Sequence, residues 1–418
     1  MRSFDVAVIG AGPSGIAAAI SAAKSGADTI LIEKNGYVGG MSTAGLLNLW
    51  CGDLQGGLYQ KIREKTTEKR VRRCVYNPET LKSYYIELLK EANVKILLHS
   101  VFLGVNKTEK HIDSISVLCG GETEHIKADI YIDSTGDGWV AKSAGVNYSK
   151  GRPSDHLMQP MTLLFNVGGV DESCAVYPTF NTNPDLEEKL KEFIRQGRCS
   201  EPVGHVILIE GFEHGTANVN MTNVIKADGT NVEDMTNAEL LTRQQVPQII
   251  EFLRENVPGY SNCYLLQTAS TIGVRETLHF EGEYTLTEQD IQNQVIFDDW
   301  VVSNASACFG NHNLTGSGSD ENNLPYRHER YTIPYRSLLA KGVDNLLLNG
   351  RNISGTHMAH SSYRVMPICM GMGEGAGTCA AYAVKHNIPL REIPVKEVQN
   401  ILMTKFGVLY PEKNKEIE

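Results

Sequence analysis

Two histidines, a tyrosine and an arginine fall close together in Gly355-Thr-His357-Met-Ala-His360-Ser-Ser-Tyr363-Arg364. An imidazole titrates near neutral pH, so His357 or His360 could act as a general base; for each, the alternative is a structural hydrogen bond to backbone. Arg364 could hold a carboxylate or an enolate oxygen through a bidentate pair of hydrogen bonds, or else pair with a structural acid. The His357-x-x-His360 spacing lacks the glutamate and further ligands of helical zinc sites, so no metal is expected there.

Such groups need a frame that presents a ligand to them, and the N-terminal stretch reads as one. Asp5-Val-Ala-Val-Ile-Gly10-Ala-Gly12-Pro13-Ser14-Gly15 joins an apolar strand to a small-residue helix, Ile16 to Ser25, and Ile30-Leu-Ile-Glu33 follows as a second strand ending in an acid. Gly10 permits a tight turn, Gly12 lets backbone N–H groups approach a pyrophosphate, and Gly15 lets the helix pack close on the sheet. Glu33 is placed to receive ribose hydroxyls, and its charge argues against a 2′-phosphate. Strand, helix, strand and acid in this order make a dinucleotide-binding βαβ unit.

Three further segments narrow the dinucleotide. Lys34-Asn-Gly-Tyr-Val-Gly39-Gly40-Met41-Ser42 is a flexible loop after the second strand. Ala128-Asp-Ile-Tyr-Ile-Asp133-Ser-Thr135-Gly136-Asp137-Gly138 is an apolar strand running into a small-residue turn. Asp344-Asn-Leu-Leu-Leu-Asn-Gly350-Arg351-Asn-Ile-Ser precedes Gly371-Met372-Gly373-Glu-Gly375-Ala-Gly377-Thr378. With the βαβ unit, these resemble the FAD segments of the glutathione-reductase-like superfamily, and the chain is similar to its FAD-dependent oxidoreductases. Arg275-Glu276-Thr277 and Gly282-Glu-Tyr284-Thr-Leu286-Thr287 belong to the same resemblance.

The resemblance implies FAD as cofactor. The loop at Gly39 would lie along the ribityl chain and ring, the strand containing Val101 near the adenine, Thr135, Gly136 and Asp137 on the way back to the nucleotide, Gly350 and Arg351 at the pyrophosphate, and a helix start at Met372 and Gly373 beside the flavin. Arg275, at the end of the apolar and small-residue run Ala269-Ser-Thr-Ile-Gly-Val, either leaves a strand toward the flavin face or is, with Glu276, a domain-interface partner. Cys51 reads as a small buried residue, with flavin attachment or a redox role as alternatives.

The expected fold class is α/β: a Rossmann-like FAD-binding domain with parallel sheet, βαβ unit and β-meander, carrying an inserted mixed sheet-plus-helix substrate domain. The expected segments are 1–150 and 331–390 for the FAD domain, 151–330 for the substrate domain and 391–418 for a helical tail. Strands are expected over Val94 to Val105 and His111 to Ala128, and helices over Pro78 to Ala92, Asp185 to Gln196 and Asn237 to Asn256. The Gly310 to Asn323 stretch is either a surface connection or a lid.

A net charge of −10 disfavours nucleic-acid partners. No apolar run reaches membrane length, and no signal peptide opens the chain, so a cytoplasmic protein without a membrane span is expected. The nine cysteines contain no Cys-x-x-Cys, which argues against a disulfide framework, zinc or an iron–sulfur cluster. No second nucleotide fingerprint lies between Val140 and Tyr331, so electrons are expected to come from a small-molecule substrate and to leave to oxygen, a quinone or an electron-acceptor protein. The alternatives are an enone or fumarate-type reductase and an electron-transfer subunit of a larger complex. The sequence does not specify the oligomeric state.

Overall fold

The computed structural model describes residues 2–69, 74–179, 182–318, 320, 324 and 330–412. The chain opens with β1 (Arg2–Ile9), α1 (Pro13–Lys24) and β2 (Thr29–Ile32). Next come β3 (Asp53–Leu54), α2 (Gly57–Thr66), a hairpin of β4 (Thr67–Lys69) and β5 (Cys74–Tyr76), and α3 (Pro78–Glu91). α3 starts where Asn77 accepts the N–H groups of Glu79 and Thr80, with Pro78 in the first turn. β6 (Lys95–Leu97), β7 (Ser100–Thr108), β8 (His111–Cys119) and β9 (Glu122–Asp133) follow, then α4 (Trp139–Ser143). The single strand expected over Val94 to Val105 is two, because His99 takes a left-handed conformation at φ 51° and interrupts the ladder.

Six of these strands form one sheet in the order β6-β2-β1-β9-β8-β7. β1 lies between β2 and β9, parallel to both, with Ile9 opposite Ile32 and Asp133. The Gly10 turn and the end of β9 therefore emerge side by side at the carboxyl edge, where open α/β sheets bind ligands.

The chain then leaves this sheet. β10 (Tyr148–Lys150) pairs antiparallel with β15 (Leu278–Phe280), closing the neck of an excursion. Within it, β11 (Phe165–Gly168), α5 (Pro184–Arg195), β12 (Leu208–Glu210), β13 (Ala217–Val219), α6 (Val232–Asn256) and β14 (Tyr264–Thr268) build a sheet ordered β12-β13-β11-β14. Its core is separate and includes Phe165, Phe193, Val219 and Phe252. Of the stretch 151–330, residues from Leu278 onward, including Trp300 and Phe309, pack instead in the core around the main sheet, with Val8, Ile16 and Leu31.

After the excursion come α7 (Glu288–Gln292), β16 (Trp300–Ser306), β17 (Tyr331–Pro334), β18 (Leu346–Leu348), α8 (His357–Tyr363) and α9 (Met366–His386). β18 joins β9 in parallel, and β17, β16 and β3 form a small antiparallel sheet.

α9 is wedged between α1 and β16, and its alternating glycines make both contacts. A methyl on Gly373 would lie 2.0 Å from the Ser14 carbonyl oxygen, and one on Gly377 2.1 Å from that of Ala18. A methyl on Gly375 would lie 2.8 Å from the Val301 Cβ on the other side. Glycines four apart share a helix face, so one glycine pair seats the nucleotide helix and the other seats the small sheet. Among the described residues, no helix is long and apolar enough to cross a membrane.

Candidate active site

The nucleotide end is built around α1. Gly12 sits at its N-cap, no side chain caps the first turn, and a methyl on Gly12 would meet no protein atom within 4 Å. Gly10, at φ 99°, has no such room: a methyl there would lie 2.4 Å from the Ser134 carbonyl oxygen. Gly15 is equally closed, against the Gly10 carbonyl oxygen at 1.8 Å. The open glycine thus faces the helix's unsatisfied N–H groups, while the two closed ones hold the turn.

Glu33 is buried behind this turn. One carboxylate oxygen accepts the Ala11 N–H at 2.8 Å, and the other accepts the N–H and side-chain amide of Asn35 at 2.9 and 2.7 Å. A carboxylate has about four acceptor sites, so capacity remains for a hydroxyl. Lys34 beside it is exposed, and Val101 on β7 is 42% exposed. The loop closes over α1, since a methyl on Gly40 would lie 3.3 Å from the Gly12 Cα. Ser42 binds the Gly39 carbonyl at 2.7 Å and Tyr85 at 3.2 Å, and Met41 lies against Gly45.

Asp133, fully buried, accepts Thr135 through both its N–H and its hydroxyl, and the Ala141 N–H at 2.8 Å, shaping the turn after β9. Beyond the turn, Asp137 pairs with Arg351 at 3.0 Å and Gly136 leaves room for the guanidinium. Gly350, at φ 90°, lies against Ser14: a methyl there would be 2.7 Å from the Ser14 hydroxyl. The second nitrogen of Arg351, Nη1, is buried without a partner among the described residues. An uncapped helix start, an open Gly12 and an unsatisfied guanidinium N–H fit a diphosphate.

The chemical end is organised by Glu276. Its Oε1 accepts His357 Nδ1 at 2.6 Å and His279 Nε2 at 2.7 Å, and its Oε2 accepts the Gln159 N–H at 2.8 Å. Despite full burial, the two histidines hold this carboxyl well below the usual carboxylate range. His360 stands edge-on to His279, with ring centres 4.9 Å apart, and to Tyr363 at 5.4 Å. Burial, chiefly, with the His279 and arginine charges opposing protonation, holds His360 well below the ordinary histidine value.

Gln159-Pro160 is the crosspiece. The Gln159 carbonyl oxygen Oε1 accepts Arg364 Nη2 at 3.2 Å, and the Pro160 carbonyl accepts Arg275 Nη1 at 2.5 Å. Arg364 Nη2 also donates to the Gly310 carbonyl at 3.0 Å, while its Nε is buried without a partner among the described residues. Neither arginine has an acidic partner among the described residues. Burial, and then the charge of Arg364, pulls Arg275 down to about 9, and burial lowers Arg364 as well. His312 is held well below its ordinary value by burial and by the charges of both arginines.

A family model described as FAD dependent oxidoreductase matches residues 5–402. The chain belongs to that family. FAD is the cofactor of this FAD dependent oxidoreductase, and the residues around α1 and Arg351 are those that would hold it. Digeranylgeranylglycerophospholipid reductase 1 of Methanothermobacter thermautotrophicus is 30% identical over 199 residues, 42% of this chain and 49% of the relative. The match therefore spans about half the length of that curated relative. A geranylgeranyl bacteriochlorophyll reductase-like protein of Thermoplasma acidophilum superposes at a TM-score of 0.52 with 16% identity, over 97% of this chain and 85% of that one. A flavin-dependent brominase carrying three substitutions superposes at 0.50 with 12% identity, over 96% and 85% of the two chains. At these identities the two structures show the fold alone.

Within the oxidoreductase, the expected histidines and Arg364 meet at one place, but in different roles. His357 is bound to Glu276, whereas His360 is not. Arg275 does not pair with Glu276; it turns to Pro160. Glycines 371 to 377 do not begin a helix: α9 starts at Met366, and both Met372 and Gly373 are buried in its interior. Glu276, His279 and Gln159 complete the site, and the signal for the first two was present in Arg275-Glu276-Thr277-Leu-His279. The ligand atoms of Glu276, His279 and His360 lie within 4.8 Å of one another. Glu276 is already engaged by three donors there, and guanidinium groups act on His360, an environment that opposes a cation. Part of the Gly310 to Asn323 stretch, residues 319 and 321–323, lies outside the described residues. Its beginning packs inward, with Asn311 and Leu314 buried.

Proposed function

We propose that this oxidoreductase removes a hydride from a carbon of a small metabolite that carries a carboxylate, and that Arg364 and Arg275 bind that carboxylate. The observation that carries the reading is a pair of half-buried guanidinium groups that form no ion pair with an acid among the described residues, the charge of Glu276 reaching Arg364 only from a distance. Removing a charge from water costs several kcal/mol unless an opposite charge joins it, so an anionic ligand entering here supplies the missing partner. The planar fork of Arg364 suits a carboxylate, and its unpartnered Nε offers a donor.

FAD, when bound, supplies the hydride acceptor. His360 takes the proton released from the substrate O–H or N–H; it is neutral at physiological pH because burial and neighbouring charges disfavour its protonated form. Glu276 fixes His279, against which the His360 ring stands, and through Gln159 ties that network to Arg364. A second reading, reduction of an activated C=C by the same residues with His360 as proton donor, draws support from the curated relative's name as a reductase.

Anaerobic bleaching of flavin absorbance, with hydroxy acids, amino acids and neutral sugars as separate pools, tests the proposal. A carboxylate pool is expected to bleach the flavin, and Arg364→Lys to suppress that bleaching while retaining FAD. Equal bleaching by the neutral pool in both proteins would overturn it. No bleaching by any pool, with reoxidation of dithionite-reduced enzyme by an unsaturated carboxylate, would favour the reductase.

A further inference from the structure

Among the described residues, Cys51, Cys174 and Cys308 are the exposed thiols, while Cys199, Cys263, Cys369 and Cys379 are buried. Cys51 and Cys308 are far apart in sequence, yet they flank the paired ends of β3 and β16 in the small sheet. β3 and β16 run antiparallel with Leu54 opposite Ala305 and Asp53 opposite Ser306. The ladder ends there, because Gly52 turns to φ 74°, and Cys51 and Cys308 are the second residues beyond it on the two segments. The two segments do still abut beyond the ladder: a methyl on Gly52 would lie 3.0 Å from the Ala307 Cβ and 3.1 Å from the Ser306 carbonyl oxygen.

A second observation ties both thiols to the candidate site. Ionised, Cys51 and Cys308 would each lie near enough to favour the charged form of Arg364, though less than Glu276 does. The chain just past Cys308 also touches Arg364, through the Gly310 carbonyl at 3.0 Å. The methyl that Gly52 lacks would lie 2.8 Å from Val365, the residue after Arg364.

We propose that Cys51 and Cys308 form a reversible dithiol–disulfide pair at the rim of the Arg364 site, oxidised by a hydroperoxide. One thiol attacks the peroxide O–O bond and becomes a sulfenic acid, with release of water or an alcohol. The other thiol then forms the S–S bond and releases a water. The two thiols together lose two electrons and two protons, and the peroxide is reduced by the same two electrons. A dithiol reverses the step by exchange. The bridge joins the end of β3 to the loop after β16, beside the guanidinium that binds substrate in the proposed function; the chemistry of the thiol pair does not depend on that function.

Peptide mapping of the folded, FAD-loaded protein tests the pair. Tryptic peptides 35–61 and 276–327 each contain a single cysteine, so a link between them has one meaning. After treatment with stoichiometric hydrogen peroxide, alkylation in the native state and digestion without reductant, the two peptides are expected as one cross-linked species. Two thiols per chain are lost and dithiothreitol restores them, while a non-reducing gel shows only monomer. Cys51→Ser and Cys308→Ser should each abolish the cross-link and leave the remaining thiol to proceed to sulfinic acid or an alkylated form. Recovery of both wild-type peptides unlinked, or of either one linked to Cys174 or to a second chain, would overturn the pairing.

Discussion

Glu276 accepts the Nδ1–H of His357 at 2.6 Å across eighty-one positions of chain, and the same oxygen accepts His279. One carboxylate from the end of the excursion thereby fastens the helix that precedes Arg364. Its hydrogen bonds reach the residue types that a proton-transferring site needs, and its own charge is maintained by them.

Stability should report this directly. A carboxyl held below its unfolded value of about 4.3 contributes stability that is present above that pH and is lost as pH falls toward the folded-state value. Glu276→Gln removes the charge and replaces two charge-assisted hydrogen bonds, each worth about 1.5–3 kcal/mol. Stability at pH 7.5 should therefore fall by a few kcal/mol, with the gap to wild type held down to about pH 4.3 and narrowing only below it. A gap independent of pH would place the stabilisation elsewhere.

Arg364→Lys tests the anion site. The variant should fold and retain FAD, because lysine keeps the positive charge and the hydrogen bonds of Arg364 go to Gln159 and Gly310 rather than to the residues proposed to hold FAD. Substrate-dependent flavin reduction should fall roughly tenfold to a hundredfold, the equivalent of about 1.5–3 kcal/mol, since an ammonium cannot reproduce the fork. Arg275→Lys should act in the same direction. Stopped-flow reduction with saturating donor measures both, and undiminished rates would assign the arginines to structure.

The pH profile of flavin reduction should identify the base. A neutral base becomes inactive when protonated, so the rate falls as pH drops through its pKa. His360 lies well below the ordinary histidine value because of burial, so the acid limb belongs below pH 6.5, lower than an unperturbed imidazole would give. His360→Asn should remove the limb and His357→Asn should keep it, while slowing the reaction through the loss of one Glu276 hydrogen bond. If both variants retain the wild-type profile, His312, which is similarly depressed, is the next group to replace.

The parts of this molecule that were legible in the sequence are those built from neighbours in sequence. The βαβ unit, the helix from Pro78 and the turn after Asp133 depend on glycine, proline and apolar residues a few positions apart. The Glu276 network was not legible, because its four members come from positions 159, 276, 279 and 357 and meet only when the excursion returns to the sheet. Glycines 371 to 377 are a different case: a glycine marks close approach without saying to what. A pyrophosphate, a neighbouring helix and a neighbouring strand all leave the same signal, and here helix and strand are the answer.

Gly12 and Gly373 separate those two meanings experimentally. Gly12 faces open space, so Gly12→Ala should leave the apoprotein's Tm nearly unchanged while FAD retention drops, its methyl lying where the diphosphate is expected. Gly373→Ala drives a methyl to within 2.0 Å of the Ser14 carbonyl oxygen, and overpacking of this kind costs about 1–3 kcal/mol. It should lower the apoprotein's Tm by several degrees. Equal losses of stability in the two variants without FAD would contradict this division of roles.

Glu374 gives the last test, because its pH dependence runs the opposite way to that of Glu276. It lies within the glycine tract of α9, fully buried, and its Oε1 accepts the Leu58 N–H at the start of α2 at 3.0 Å. Burial pushes it up to about 8, against the smaller opposing effects of the Leu58 hydrogen bond, Lys61 and Lys24. The folded state thus keeps this proton between about pH 4.3 and 8 while the unfolded chain releases it, so stability declines as pH rises through that window. Glu374→Gln preserves the oxygen that accepts Leu58 and removes the titration. Relative to wild type, the variant should gain stability steadily from pH 5 to pH 8.5, at about 1.4 kcal/mol for each pH unit crossed within the window and a few kcal/mol in all. Urea denaturation across that range measures the difference, and a flat difference would mean that Glu374 is already ionised in the folded protein.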